Sequence, residues 1–199
     1  MKAERRKGRD TAGRQLISGG LLRMFNLGVL IVGDSGVGKS ESALELIARG
    51  HGFVTDDAVE VRRRADGRLV GSPPELGRHY MEVRGLGIIN IKEIFGASAI
   101  CGQSLIDLVI ALRQGGGRGK DGDRLGLKAP EERRVLGVRL PQISLPVGPG
   151  RNIATLIEVA CKVYLLRRKG YHASREIIRQ LHRALAAGPR KARRTLAQG

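Results

Sequence analysis

The sequence of 199 residues predicts an α/β domain with helices at its C-terminal end. Short apolar runs bounded by turn residues, which are typical of strands, surround a segment of helical spacing. A glycine-rich segment joins one of these runs to that helix, and two longer helical patterns close the chain. Hydrophobic residues make up 41% of the chain and charged residues 28%, which is enough apolar material for a buried core.

The first half of the chain predicts several strands around one helix. The helix is expected from Lys39 to Arg49, where apolar residues recur at helical spacing, and Gly50 supplies its stop. The pair Asp66-Gly67 is typical of a tight hairpin turn. Strands are predicted at residues 16–25, 27–32, 53–55, 59–63, 69–70 and 80–84.

The second half predicts further strands and a glycine-rich loop. Strands are expected at residues 105–112, 135–140 and 143–147, and Pro141 should separate the last two, because proline cannot donate to a sheet ladder. Residues 115–122 contain little but glycine and charged side chains, so we expect a mobile loop there.

Two helices are predicted at the C-terminal end. Asn152 should cap the first helix and Ser174 the second, since both side chains accept hydrogen bonds from free backbone N–H groups. The second helix should end at Gly188-Pro189. The first has an apolar stripe of Ile153, Leu156, Ile157, Ala160, Val163 and Tyr164, and the second should turn Ile177, Ile178, Leu181 and Leu185 inward.

The net charge of +17 lies mostly at the two ends of the chain. Residues 1–14 carry six basic and two acidic side chains, and residues 162–199 carry eleven and one, which accounts for fourteen of the seventeen charges. We expect a basic arm over residues 1–14, a folded domain over 15–187 and a basic tail over 188–199. Such tails are typically solvated, and contacts with an acidic partner remain an alternative. With no Trp and only three Tyr and three Phe, nucleic acid is not expected as a partner.

The cysteines and the hydropathy pattern predict a cytoplasmic protein. Cys101 and Cys161 have no neighbouring His or Cys at metal-ligand spacing, so they are expected to be small core residues in a reducing compartment. No apolar run approaches the ~20 residues of a membrane span, and no secretory signal is recognisable at the N-terminus.

The glycine-rich segment predicts a nucleotide site. It fits the pattern G-x-x-x-x-G-K-S, with a predicted strand before it and a helix after it, and consists of Gly33, Asp34, Ser35, Gly36, Val37, Gly38, Lys39 and Ser40. Phosphate oxygens can bind backbone N–H groups at a helix N-terminus, where the helix dipole adds positive potential. Lys39 would reach the terminal phosphates, and the Ser40 hydroxyl could bind Mg²⁺. The segment therefore predicts ATP·Mg²⁺ binding and phosphoryl transfer.

Carboxylates after two of the strands are candidates for the rest of the chemistry. Asp56 and Asp57 follow the strand after the loop helix, where strand ends face the ligand crevice of α/β sheets. Burial near phosphates could raise the pKa of one of them into the range of a general base, and a solvated turn is the alternative. Glu82 is either an outward-facing charge or a metal ligand.

Five blocks of the sequence resemble the catalytic domain of bacterial HPr kinase/phosphorylase. They read GDSGVGKSE from Gly33, TDDAVEV from Thr55, MEVRGLGIIN from Met81, DRLGL from Asp123 and LPVGPGRN from Leu145. The family phosphorylates a serine of HPr, the phosphocarrier of the sugar phosphotransferase system. It also removes that phosphate with inorganic phosphate, releasing pyrophosphate.

The resemblance implies a P-loop domain related to phosphoenolpyruvate carboxykinase, with a mixed sheet, and a hexameric assembly. It assigns proton transfer to Asp57, phosphate contact to Lys39, Mg²⁺ binding to Ser40 and Glu82, and a catalytic role to Arg124. The cofactors implied are ATP and Mg²⁺, and the partner is an HPr-like protein. Supporting roles are expected for Asp56, Arg84 and Arg151.

Two departures from the family pattern concern the reverse reaction. Ser18 stands where the family has a histidine, and Gly148 stands where it has an arginine. Loss of these groups should weaken phosphate binding, so we expect an HPr serine kinase whose phosphorylase activity is weak or undetectable. The alternative is a diverged ATP-binding regulator whose basic tails contact nucleic acid or another acidic partner. A third reading, a small-molecule kinase or carboxykinase, rests only on relatedness of fold.

Overall fold

The structure, a computed structural model, describes residues 13–114 and 130–186. The first twelve residues of the predicted arm, the glycine-rich loop at 115–122, Arg124, Gly188-Pro189 and the basic tail lie outside these ranges. The described residues fall into two compact units, one formed by residues 13–114 and 130–162 and the other by residues 163–186.

The described residues contain twelve strands and four α-helices. The strands are β1 Arg14–Ser18, β2 Gly20–Met24, β3 Leu27–Gly33, β4 Gly52–Thr55, β5 Ala58–Arg63, β6 Leu69–Ser72, β7 Tyr80–Val83, β8 Gly87–Asn90, β9 Ser104–Leu105, β10 Leu108–Gln114, β11 Glu131–Val135 and β12 Val138–Val147. The helices are α1 Lys39–Ala48, α2 Ile91–Phe95, α3 Ile153–Arg168 and α4 Ala173–Ala186. No helix among the described residues is long and apolar enough to cross a membrane.

Two sheets enclose the core, and a separate hairpin stands beside them. The larger sheet is mixed and has the order β11-β12-β10-β3-β2-β4, with β3, β10 and β12 parallel to one another. The smaller sheet is antiparallel with the order β1-β5-β6-β9, and β7 pairs with β8 alone. Both sheets contribute to one buried cluster, which includes Ile17, Leu30, Val32, Val59, Val61, Leu69, Val109 and Leu140. The predicted α/β class with a mixed sheet and C-terminal helices is confirmed.

The strand predicted at residues 16–25 is two strands in different sheets. Gly19 interrupts it, and β1 continues into the smaller sheet while β2 joins the larger one. A Cβ atom at Gly19 would lie 2.4 Å from the carbonyl oxygen of Ile31, so only glycine lets the chain pass this close to β3. The prediction of one strand was wrong because an apolar run does not reveal which sheet each half joins.

The predicted break at Pro141 was also wrong. β11 ends at Val135, a turn follows, and β12 continues without interruption from Val138 to Val147. β12 changes partners along its length: it pairs with β11 up to Gln142 and with β10 from Gln142 onward. Pro141 lies just before the pairing with β10 begins, so its missing N–H removes no bond of that ladder.

The buried face of the first C-terminal helix overlaps the predicted stripe only in part. The cap is confirmed, since the backbone N–H of Thr155 donates to Asn152 Oδ1 at 2.7 Å. The buried residues of α3 are Ala154, Ile157, Ala160 and Cys161. Four of the six predicted stripe residues are therefore not buried, because small residues on the neighbouring face allow closer packing. Burial raises the pKa of the Cys161 thiol to about 12, as expected of a core cysteine.

The second C-terminal helix has no buried residue. Three of the four residues predicted to face inward are exposed: Ile177 is 61% exposed, Leu181 57% and Leu185 71%. The fourth, Ile178, is half-buried. Ser174 lies inside the first turn, since α4 already begins at Ala173. The inward prediction was wrong because amphipathic spacing identifies an apolar face and does not identify what covers it.

Candidate active site

The loop between β3 and α1 leaves its backbone open on one side. Gly36 and Gly38 have φ values of 76° and 93°, in the left-handed region that glycine adopts without strain. Val37 between them is buried, with only 4% of its surface exposed. The buried valine anchors the loop, and the glycines allow its N–H groups to turn toward a ligand.

Lys39 lies across this loop at the first position of α1. Its Nζ donates to the carbonyl oxygens of Gly33 at 3.0 Å and Asp34 at 2.9 Å. The first turn of α1 is closed by Ser42, whose backbone N–H and hydroxyl both donate to the Gly38 carbonyl oxygen. The ammonium group is therefore held at the positive end of a helix dipole, where it reinforces the attraction for anions.

Asp57 occupies a strained turn at the end of β4. Its φ of 63° lies in the left-handed region, which aspartate tolerates better than most residues. The turn is fixed by Thr55, whose hydroxyl donates to the Ala58 carbonyl oxygen at 2.9 Å. The Asp57 carbonyl oxygen accepts from the Gly19 N–H at 3.0 Å. The backbone conformation of this turn therefore sets the direction of the exposed Asp57 side chain.

Asp56 is the buried member of the pair. Only 9% of its surface is exposed, and among the described residues neither carboxylate oxygen has a hydrogen-bond partner. Burial raises the pKa of Asp56, and the neighbouring charge of Asp57 adds to the rise, while Ser40 and Lys39 oppose it. Burial was expected to raise the pKa of one member of the pair, and the member it raises is Asp56.

Side chains from three elements converge on a pocket of about 160 Å³, which we call the loop pocket. Glu82 comes from β7 and Arg84 from the turn after it, while Asp57 follows β4. The lining residues are Ser35, Gly36, Gly38, Lys39, Ser40, Glu41, Asp57, Glu82 and Arg84. Glu41 was missed by sequence reasoning because it follows the loop motif and no rule assigns it a role.

The donor set of the loop pocket suits Mg²⁺. Ser40, Asp57 and Glu82 offer hydroxyl and carboxylate oxygens, and the unpaired Asp56 carboxylate lies near Ser40. Among the described residues, no group of three or more His, Cys, Asp or Glu side chains could hold a metal alone. Mg²⁺ typically binds one or two protein carboxylates and takes its remaining ligands from water and substrate phosphates. The residues present fit this pattern.

Other predicted site residues lie elsewhere. Gly33 and Asp34, at the start of the loop, line a second and larger cavity. Arg151 belongs to the turn before α3, where its N–H donates to the Gly148 carbonyl oxygen, and it lines neither cavity. Arg124 lies outside the described residues.

The second cavity has a volume of about 470 Å³ and is called the sheet-end cavity. It is lined by Ser18, Val32, Gly33, Asp34, Ala111, Leu112, Arg113, Arg133 and Gln142. Three of these, Arg113, Arg133 and Gln142, were missed because no motif contains them. Only the pairing of β10, β11 and β12 brings them together.

A polar network ties the far end of α1 to α3. Glu158 accepts from Arg49 at 2.5 Å and lies 2.7 Å from His51 Nε2. Asn152 and Arg49 both donate to Glu45 on α1. The hydrogen bond from His51 is the main cause that lowers the pKa of Glu158, so this half-buried carboxylate stays ionised. The network fixes the helix that carries Lys39.

The family model of the HPr serine kinase C-terminal domain matches residues 9–181. The chain belongs to this family. It is 46% identical over 174 residues to the HPr kinase/phosphorylase of Geobacillus thermodenitrificans, covering 87% of this chain and 56% of that protein. It is 44% identical over 165 residues to the HPr kinase/phosphorylase of Caldanaerobacter subterraneus, covering 83% and 53%.

A solved structure of the same family shares the fold. The HPr(Ser) kinase/phosphatase from Coxiella burnetii superposes with a TM-score of 0.73 at 33% identity, covering 82% of this chain and 98% of that one. The chain spans about half the length of the two HPr kinase/phosphorylases. The resemblance to the HPr kinase family is confirmed, and nothing found supports the alternative of a nucleic-acid-binding regulator.

Proposed function

We propose that this chain is an ATP-dependent kinase that phosphorylates a serine of an HPr-like phosphocarrier protein. The observation that carries the proposal is the convergence of Lys39, Ser40, Asp57 and Glu82 on one pocket at a helix N-terminus. We further propose a P-loop domain related to phosphoenolpyruvate carboxykinase. The G-x-x-x-x-G-K-S pattern and its position between β3 and α1 support that assignment.

The proposed reaction is an in-line transfer of the γ-phosphoryl group. The serine oxygen forms a bond to the γ-phosphorus, the bond to the bridging oxygen of ADP breaks, and the serine proton passes to the Asp57 carboxylate. Lys39 and the N–H groups of the loop stabilise the charge on the transferring group. Ser40 and Glu82 would hold Mg²⁺, and the bound ion would neutralise negative charge on the phosphate oxygens.

The remaining predicted residues have supporting roles in this proposal. Arg84 lines the loop pocket and adds a cation near the phosphates. Asp56, buried beside Asp57 and near Ser40, is proposed to add a second carboxylate behind the catalytic one. Arg124 and Arg151 are proposed to contact phosphate on the basis of the sequence blocks to which they belong.

We propose that the forward reaction dominates. The kinase half needs the loop, Mg²⁺ and Asp57, and Lys39, Ser40, Asp57 and Glu82 all line the loop pocket. The reverse half must hold inorganic phosphate against a phosphoserine, and Ser18 and Gly148 supply no charge for that purpose. Phosphorylase activity should therefore be weak or undetectable.

We propose a cytoplasmic homo-oligomer, with a hexamer as the specific expectation. The exposed apolar residues of α4 support association, because an uncovered apolar stripe is costly in water. A basic arm over residues 1–14, a kinase domain over 15–187 and a basic tail over 188–199 remain the proposed organisation.

The test is phosphoryl transfer from γ-labelled ATP to a panel of HPr-like proteins, each with a matched variant whose acceptor serine is alanine. We expect Mg²⁺-dependent labelling of the serine forms only. Binding of ATP without labelling of any HPr-like protein would contradict the proposed acceptor. Label on the alanine variants would contradict the proposed acceptor residue.

A further inference from the structure

β1 is the least protected edge of the two larger sheets. The smaller sheet ends at β1 and β9, and the larger sheet ends at β11 and β4. β9 has only two residues, β4 is bridged at Phe53 to Ile100, and β11 carries a charge at four of its five positions. β1 carries a charge at Arg14 alone, and no described strand pairs with its outer side. Its outer backbone N–H and C=O groups are therefore open to another strand.

The outward face of β1 combines an apolar residue with a cation. Ile17 is buried and pairs with Val59 in the core. Because side chains alternate along a strand, Arg14 and Leu16 share a face that cannot be the core face. Leu16 is 64% exposed, and Arg14 is exposed as well. A strand added to β1 would cover Leu16 and place one of its own side chains opposite Arg14.

Arg14 stands opposite a second cation on the neighbouring strand. It is in register with Arg62 of β5, and like charges directly opposite each other destabilise a strand pair. Within residues 13–114 and 130–186, neither guanidinium forms an ion pair or a side-chain hydrogen bond. Glu60, on the same face, is in register with Leu16 and is not paired with either arginine. An acidic side chain on an added strand would relieve this repulsion.

The hairpin between β5 and β6 extends the positive charge beyond this pair. Residues 62–64 are three consecutive arginines, and Arg68 follows the turn. Asp66, the acidic residue of the turn, lies 2.8 Å from Arg68 and 3.6 Å from the last of the three. Together with Arg14 and Glu60, the edge has five basic and two acidic side chains, an excess of three positive charges.

Charge and shape together favour a protein segment as the occupant of this edge. Another copy of β1 has no acidic side chain to place opposite Arg14, and residues 1–12 have five basic and two acidic side chains. A phosphate backbone of nucleic acid could contact the arginines but would leave Leu16 and the open backbone groups of β1 uncovered. An extended peptide can supply main-chain partners, an apolar side chain and an acidic side chain at once.

We propose that β1 is a docking edge for an extended, acidic segment of a partner protein, which adds a further strand to the smaller sheet. All pairs in this sheet are antiparallel, and we assign the added strand the same direction. An apolar residue opposite Leu16 is then followed, two positions later, by an acidic residue opposite Arg14. The proposed edge depends neither on the loop pocket nor on phosphoryl transfer.

Binding is tested with the full chain and a fluorescent peptide, Thr-Thr-Val-Thr-Glu-Glu, whose valine and first glutamate have the required spacing. A comparison peptide has lysine in place of both glutamates. We expect saturable binding of the acidic peptide, and binding of the lysine peptide that is weaker by about fivefold or more, because the charge contact is reversed. No binding of the acidic peptide at about 1 mM, or equal binding of the two peptides, would overturn the proposal.

Charge reversal on the protein tests the same contact from the other side. Arg14→Glu should weaken binding of the acidic peptide by about fivefold or more and strengthen binding of the lysine peptide. Arg62→Glu gives a second reading if Arg14→Glu fails to fold. The matched control is Arg139→Glu, at a residue of the larger sheet that is 64% exposed. Unchanged binding in both edge variants, or equal weakening in the control, would refute the docking edge.

Hydrogen exchange distinguishes an added strand from a loose electrostatic contact. The bound peptide should slow amide exchange in residues 14–18, because its carbonyl oxygens accept from the outer N–H groups of β1, and should leave residues 131–135 of β11 unchanged. Binding without this protection would contradict the added strand. Displacement of the peptide by a higher concentration of the chain itself would place a second copy at the edge instead. Equally effective displacement by duplex DNA at the same charge concentration would indicate a site for phosphate backbones, and either result would refute the proposed occupant.

Discussion

The loop pocket and the sheet-end cavity are neighbours with opposite charge balance. The loop pocket has two cationic side chains, Lys39 and Arg84, and three acidic ones, a net of one negative charge. The cavity has two arginines and one aspartate, a net of one positive charge. Counted over the described lining residues, the net negative charge of the pocket would be offset by a metal ion when a polyphosphate binds, whereas the cavity lining is already net positive. Removal of Mg²⁺ with a chelator should therefore weaken phosphate binding at the loop pocket and leave the cavity unaffected.

The largest expected effect tests the acidic half of the loop pocket. Asp57→Asn keeps the shape of the side chain but cannot accept a proton, so phosphoryl transfer should fall by about 10²–10⁴-fold while ATP binding is retained. Single-turnover transfer and nucleotide affinity are measured side by side. Asp66→Asn, at an exposed turn, is the matched control. A mild loss equal to that of Asp56→Asn would show that Asp57 is not the proton acceptor of the transfer.

The next effect tests the cationic half. Lys39→Ala should lower turnover by about 10²–10³-fold, the range for loss of one group that stabilises transition-state charge. The fold should be intact, because the Nζ contacts only loop carbonyls. Lys92→Ala on the exposed face of α2 provides the comparison, and circular dichroism checks folding. Parental ATP turnover by Lys39→Ala would show that the loop pocket is not the active site.

A smaller effect tests whether added cations shift the balance between the two reactions. Gly148→Arg with Ser18→His should raise dephosphorylation by about one to two decades for each restored contact, and phosphorylation by less, since each contact is worth ~1.5–3 kcal/mol. Gly148 has open space around its Cβ position and no left-handed φ, so arginine fits there. Pyrophosphate release from serine-phosphorylated HPr at saturating phosphate is the assay.

Gly102→Arg, at a second glycine with open space, is the control for this pair of changes. Robust pyrophosphate release by the parent chain, at a rate close to its kinase rate, would show that positions 18 and 148 do not limit the reverse reaction.

The smallest effect concerns stability. Burial raises the pKa of Asp56, so the folded state binds a proton more tightly than the unfolded state. Its contribution to stability is therefore favourable at low pH and is lost as pH rises from the ordinary carboxyl pKa through the raised value. Asp56→Asn should stabilise the metal-free protein at pH 7, and each kcal/mol gained in the free energy of unfolding should raise Tm by about 2–4 °C. The gain should be smaller at pH 4.

Thermal unfolding of the parent and Asp56→Asn at both pH values provides this measurement. A variant that is less stable than the parent at pH 7 would mean that the ionised Asp56 carboxylate has a favourable partner. The loss of activity caused by Asp56→Asn should be smaller than the loss caused by Asp57→Asn.

The sequence predicted the loop and its helix because every determinant is local. Gly36, Gly38 and Lys39 stand in one short segment, and the strand before it and the helix after it follow from apolar spacing. Asp57 was a candidate because it follows a short strand, whereas Glu82 was ambiguous by position and was assigned a role through the resemblance to the HPr kinase family. Their roles remain predictions.

The features that the sequence did not predict depend on strand register and on which elements pair or pack together. Arg113 and Arg133 are twenty residues apart and meet at one cavity only because β12 pairs with both β10 and β11. The same change of partners let β12 pass through Pro141. The apolar face of α4 was recognised correctly, but spacing alone could not say that none of the helix's residues is buried.

The single carboxylate of Glu158 has a consequence for how the chain opens. Arg49 and His51, at the end of the loop helix, both bind it, and it belongs to α3. Unwinding α1 alone would leave a half-buried charge without its partners, which is costly. The amide protons of α1 and of the first half of α3 should therefore exchange with solvent in one cooperative event. A nucleotide that slows exchange at the loop should slow it in α3 as well.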